Sequence, residues 1–166
     1  MKIARLLKHL VAPDWLSAKD FPEESLRQIE KAIKASERQH EGELRFVAEA
    51  SMPLSYLVLK HRSSRRRAED LFSSLKVWDT ERNTGILIYV QLFSRHIDIV
   101  ADRGIAAKVR QDEWDAVCRA MESSFKKQEF LKGSLEAIER VTALLAHHFP
   151  SKDGGANELS DRPVVL

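Results

Sequence analysis

Only one cysteine, Cys118, occurs in the 166 residues. A single thiol excludes an internal disulfide framework and a four-cysteine zinc site, so nothing in the chain demands an oxidising compartment. Long hydrophobic runs are missing as well. No stretch approaches the roughly 20 apolar residues needed to cross a bilayer. Charge of one sign is lacking too: 27 Lys and Arg stand against 25 Asp and Glu, a formal charge of +2. A field that weak gives no basis for a nucleic-acid partner. The motifs G-x-G-x-x-G, G-x-x-x-x-G-K-[ST], H-E-x-x-H and G-x-S-x-G are all absent, which removes the common nucleotide, zinc-protease and esterase readings.

What is present is a patterned globular chain, 43% hydrophobic and 31% charged, of single-domain size. Ile3, Leu6, Leu7, Leu10 and Val11 fall at helical spacing, with Lys2, Arg5 and Lys8 off the stripe. Residues 1–20 are therefore read as an amphipathic helix and linker that packs on its own domain or on a second copy, or lies on an anionic membrane surface. Lys8 and His9 interrupt the apolar run before it reaches the length of a secretion signal. The expected location is cytoplasmic, with peripheral membrane contact left open. Pro22, Glu23 and Glu24 open a second helix whose face is Leu26, Ile29 and Ile33. "ELRFVAEA" alternates and predicts a half-exposed strand. Helical spacing returns at Leu54, Leu57 and Val58 and again from Ala68 to Leu75, with Ser63 or Ser64 able to cap the second piece.

"GILIYVQL" is apolar on both faces, as a central covered strand must be, and "HIDIVAD" has one wetter face. Asp112 is positioned to cap a helix carrying Trp114, Val117, Met121 and Phe125. A last helix, with Leu131, Leu135, Ile138, Val141 and Leu145, ends before Pro150. Residues 151–166 read as a polar, loose tail whose closing "PVVL" could dock on a surface. The long helical connection between the first two strands favours a parallel pair, and the short link around Ser94 requires an antiparallel hairpin. The expected fold is an α/β/α sandwich on a small mixed sheet, ordered 1-2-3, occupying residues 21–150.

Centring the hairpin on Ser94 pairs Ile86 with Asp102. One edge of the sheet then collects Glu41, Glu43, Glu81, Asn83, Asp102 and Asp112 from distant parts of the chain. Carboxylates, an amide and backbone carbonyls are the ligands of a hard cation such as calcium or magnesium, so Glu81, Asn83, Asp102 and Asp112 are the candidate metal residues. The competing reading is that Arg45, Arg82 and Arg103 pair those carboxylates directly. Arg82 and Arg103 are also candidates for holding an anion or phosphate. His147 and His148 suit a helix C-terminus. Cys118 lies on an apolar stripe, where a buried, inert thiol is expected. Trp15, Trp78 and Trp114 read as packing anchors.

At "GELRFVAEA", "RRRAEDLFSSLKVWDTERNTGILIYV", "RHIDIVADRGI" and the closing "FLKGSLEAIERV" with "HHFP", the chain resembles the TPM-domain family, in its short branch without signal sequence or membrane helix. The resemblance implies an α/β/α sandwich and a protein partner, in many members at a membrane. It also implies a divalent cation, often calcium, and in one plant branch an acid phosphatase activity. By position the relevant loops are Glu81, Arg82, Asn83, Thr84 and Gly85, and Asp102, Arg103 and Gly104. Many relatives carry an acidic residue where this chain has Arg82, and Thr84 is inserted between Asn83 and Gly85. Two functions are therefore carried forward. One is a non-catalytic binding module with a cation at the hairpin edge. The other is a metal-assisted phosphomonoesterase in which a cation at Asp102 and Glu81 works beside Arg82 or Arg103.

Overall fold

The computed structural model describes residues 19–53, 56, 63–151 and 157–166. The amphipathic helix expected over Ile3 to Val11, and the helical piece around Leu54, Leu57 and Val58, lie outside the described residues. The elements are α1 (Glu23–Ser36), β1 (Glu43–Glu49), α2 (Ser64–Ser74), β2 (Gly85–Gln91), β3 (His96–Ala101), α3 (Arg103–Ala106), α4 (Gln111–Lys126), α5 (Phe130–His148) and β4 (Val164–Val165). Each helix starts where the local chemistry allows it. Glu23 and Glu24 complement the positive end of α1, and the Ser63 hydroxyl accepts from Arg66 N–H at the start of α2. Asp112 does not cap α4. It sits inside the first turn and pairs with Arg110, whose own N–H donates to Glu113 at 3.0 Å.

The sheet is mixed, in the order β3-β2-β1-β4. β1 and β2 run parallel and β2 and β3 antiparallel, as the connections require. The fourth strand comes from the segment read as a loose tail: Val164 and Val165 pair in parallel with Val47 and Ala48. α1, α4 and α5 cover one face, burying Phe46, Ile86, Ile88, Val90, Ile97 and Ile99. α2 covers the other, over Val47, Leu87, Tyr89 and Val100. Phe21, Phe46, Phe125 and Phe130 meet edge-on or tilted under the three-helix layer, with centroids 4.9–6.1 Å apart.

Within the first three strands, two further sequence expectations change. The hairpin turn spans four residues, Leu92 to Arg95, with Arg95 in the left-handed region, so Gln91 faces His96 and Ile86 faces Ala101 rather than Asp102. Opposed residues in an antiparallel pair share a face, so only this register puts Ile97 and Ile99 beneath α4 with Ile88 and Val90. The apolar alternation alone could not decide, because Leu87 and Tyr89 on the other face are apolar too. The second change is that β1 is not half-exposed. All seven of its residues are buried, because α2 and the tail cover the face carrying Glu43, Arg45 and Glu49. Among the tryptophans, Trp114 is buried whereas Trp78 is 48% exposed and so is no anchor.

Groups on the outer sides of β3 and β1 are engaged by side chains and by the tail. On β3, Ile97 N–H donates to the Glu122 carboxylate and the Ile99 carbonyl accepts from Arg65. On β1, Leu44 N–H donates to Glu37, and the main chain of Leu166 bonds to Ala48 and Ala50. Edge groups satisfied in this way are not free to template another strand.

Candidate functional site

The loop from Lys76 to Thr84 shapes the candidate edge. Lys76 and Asn83 both adopt positive φ (52° and 56°), which asparagine tolerates better than most residues. Thr84 N–H is held by the Thr80 hydroxyl at 2.9 Å. Gly85 is required where the loop enters β2, since a Cβ there would lie 1.8 Å from the Val77 carbonyl oxygen. The three segments of the edge are stitched together by main-chain bonds. Glu43 N–H donates to Thr84, Asp102 N–H to Gly85 (2.9 Å) and Gly104 N–H to Asn83 (3.1 Å). Gly104 permits a close approach: an added Cβ would meet the carbonyl oxygens of Asn83 and Arg82 at 2.5 and 2.7 Å.

Asp102 caps the short helix α3, with Oδ1 accepting from Arg103 N–H at 2.7 Å. Its other oxygen, Oδ2, is shielded from solvent and has no hydrogen-bond partner among the described residues. Arg103 donates through Nε to Asn83 Oδ1 at 2.9 Å, and Arg82 pairs with Glu41. Asn83 and Asp102 are therefore linked through Arg103 and through main-chain bonds of the two loops. The other two candidate ligands are placed differently. The main-chain N–H of Glu81 donates to the Glu158 carboxylate at 2.9 Å while its own carboxylate acts on Arg82, and Asp112 is held by Arg110 at 2.7 Å. Among the described residues no group of three or more histidine, cysteine or carboxylate side chains is arranged to hold a metal ion.

The sequence reading missed a second carboxylate cluster at this edge, because it treated the tail as loose. Glu43 Oε2 accepts from Leu159 N–H at 3.0 Å, Arg45 reaches the Ser160 carbonyl, and Asp161 comes up beside Glu37. The density of acids in "NELSD" ahead of an apolar "PVVL" was the available signal. Burial raises the Glu37 carboxyl to about 8, against the Leu44 N–H that lowers it, with Glu43 and Asp161 adding to the rise. Glu43 is also raised, chiefly by burial. A carboxyl with a raised folded-state pKa binds its proton more tightly when folded. Its contribution to stability is complete below the ordinary value of 4.5 and is lost as the pH climbs through about 8. Undocking of the tail should therefore rise above pH 8. Hydrogen exchange at the Leu159 and Leu166 amides, corrected for intrinsic rate, should lose protection between pH 6 and 9, and Glu37→Gln should abolish that trend. Protection that stays flat over this range would show that Glu37 does not control the tail.

No side-chain set at the edge supplies an activated nucleophile. A Ser–His contact does exist elsewhere, Ser36 Oγ to His40 Nε2 at 2.7 Å, continued to Thr142 at 2.6 Å. Both residues are at most 2% exposed, so no substrate reaches them. Burial lowers His40 to about 4, and its Nδ1 accepts from Gly42 N–H. The neutral ring braces Ser36, whose hydroxyl bond to Thr142 ties α1 to α5. Cys118 is half-buried, its thiol pushed up to about 12 by burial and by the Asp98 carboxylate, which makes it a poor nucleophile. His147 and His148 stack edge-on at 4.7 Å in the last turn of α5.

The fold and this edge define an α/β/α domain whose loops gather at the start of the parallel strand pair and the end of the hairpin. The TPM domain matches residues 17–144, and the chain belongs to the TPM-domain family. The structure is similar to the NMR structure of the BA42 protein from the psychrophilic bacterium Bizionia argentinensis. The TM-score is 0.76 at 30% sequence identity, over 86% of this chain and 93% of that one. No curated protein matches the sequence. Among the described residues no helix is long and apolar enough to cross a membrane.

Proposed function

We propose that the chain is a non-catalytic binding module that acts on a protein partner, at a membrane or in solution, with a calcium or magnesium ion at the hairpin edge tuning its loops. The observation that carries the cation is the orphaned Asp102 Oδ2. A buried carboxylate oxygen without a donor is costly, by about 1–3 kcal/mol or more, and a hard cation removes that cost. Asp102 and the nearby carbonyls of Arg82 and Asn83 would hold the ion, with water completing its shell. Asp112 is engaged by Arg110, so the site has Asp102 and at most the Glu81 carboxylate from the adjoining loop. Ligand charge sets affinity, which places binding in the weak range of roughly 10⁻⁴–10⁻³ M. The exposed Trp78, on the loop leading into Asn83, supports partner contact, since exposed tryptophans often anchor interfaces.

The phosphatase alternative is less well supported by these residues. It needs a guanidinium free to meet a phosphoryl group, and Arg82 is committed to Glu41 while Arg103 is committed to Asn83. The test is calcium and magnesium titration followed by NMR, with Asp102→Asn as control. Saturable shifts of the Asn83 and Gly104 amides at sub-millimolar to millimolar metal, lost in the variant, are expected. Absence of shifts at tenfold higher metal would end the cation reading. In-cell crosslinking that is unchanged by Trp78→Ala and by chelator would count against the partner reading at this edge.

A further inference from the structure

Along the β3 edge lies a cleft of about 500 Å³, within the range that takes small ligands. Its floor is His96 to Ile99. One wall is the face of α4 bearing Asp115, Arg119 and Glu122, and the other is Arg65 in the first turn of α2. Two main-chain groups of the floor, the Ile97 N–H and the Ile99 carbonyl, are already taken by Glu122 and Arg65, which works against addition of an extended strand. Side chains are then the main means of holding an occupant.

Those side chains are unequally paired. Glu122 is matched by His96 Nδ1 at 3.2 Å as well as by Ile97 N–H, and Asp98 accepts from the Ser64 hydroxyl at 2.6 Å. Arg65 is held by Glu69 at 3.2 Å and by the Ile99 carbonyl. Two exposed groups of opposite sign are left. Asp115 has only a neutral partner, the Gln111 amide at 2.8 Å, and Arg119 makes no ion pair among the described residues. Side chains four apart on a helix lie on one face with Cβ atoms about 6 Å apart and are able to pair across that gap. Asp115 and Arg119 do not. A cation and an anion presented separately to one cleft complement a ligand that carries both charges.

We propose that this cleft binds a small zwitterion of the α-amino-acid type, its carboxylate on the Arg119 guanidinium and its ammonium on the Asp115 carboxylate. Guanidinium–carboxylate hydrogen bonds are charge-assisted on both sides, and using the two ends together gives selectivity that neither end supplies alone.

The test titrates L-alanine and its two halves, propionate and ethylamine, into the ¹⁵N-labelled full chain. L-alanine should give saturable shifts at the amides of residues 96–99 and 111–122, and each half should bind at least about tenfold more weakly. Arg119→Gln and Asp115→Asn should each weaken L-alanine by about tenfold while leaving the melting temperature in place, because both side chains are exposed. The proposal is overturned if none of the three compounds shifts these amides at about 50 mM. It is equally overturned if propionate or ethylamine alone binds as tightly as L-alanine, or if both variants bind it like the parent.

Discussion

Gly85→Ala is expected to destabilise the fold by at least about 3 kcal/mol, more than any other glycine-to-alanine change in the described residues. The added methyl would sit 1.8 Å from the Val77 carbonyl oxygen and 2.8 Å from its carbon, and both atoms are backbone in a turn fixed by Val77 N–H to Phe72. Relief requires the turn to move away from β2. The carbonyl of the same glycine accepts from Asp102 N–H, so the displacement would reach the candidate cation site as well. Gly42→Ala is the control, because its nearest neighbour at 2.9 Å is the end of the Leu145 side chain, which can turn aside. Urea unfolding of the two variants measures the difference. A Gly85→Ala loss no larger than that of Gly42→Ala would show that the turn yields more easily than its geometry indicates.

The second large effect is at Glu49, 3% exposed at the end of β1. Arg67 on α2 reaches both of its oxygens through Nε at 3.1 Å and one through Nη2 at 2.5 Å, and the Tyr89 hydroxyl donates to it at 2.5 Å. Burial, the Glu49 charge and its hydrogen bond keep the Tyr89 phenol protonated by raising its pKa far above the usual value. Arg67→Ala leaves a buried carboxylate with a single neutral donor and should cost about 3–5 kcal/mol. Adding Glu49→Gln to that variant removes the charge and should recover part of the loss, which separates an uncompensated charge from a packing defect. Arg67→Lys should fall between, because a single ammonium cannot span both oxygens. Calorimetric melts of the four proteins decide. If Glu49→Gln lowers the Arg67→Ala melting point further, the loss comes from the missing guanidinium stem rather than from the stranded charge.

The elements of the fold were legible where one physical cause dominates. "GILIYVQL" reads as a covered strand because Ile86 to Val90 are apolar on both faces, and the strand is buried throughout. Ser63 or Ser64 reads as a cap, and the structure uses Ser63, whose hydroxyl accepts from Arg66 N–H. The candidate site was legible in part. Asn83 and Asp102 flank the same two strands, and Arg103 bridges them. Glu81 and Asp112 were drawn in by proximity in sequence; Arg110 holds the Asp112 carboxylate, whereas Glu158 holds only the main chain of Glu81. The cleft over β3 had no signature at all, since His96, Asp115 and Arg119 belong to two elements whose packing no local pattern encodes.

By itself the sequence determined the strand and helix types, the parallel and antiparallel pairings and the absence of a disulfide scaffold. Each of these follows from local periodicity, connection length or residue count. The hairpin register, the burial of Glu43, Arg45 and Glu49, the fourth strand and the pairing of each arginine were decided only by tertiary structure. Charged side chains choose partners by distance in space, and both faces of β2 are apolar enough to accept either register until α4 and the tail are in place.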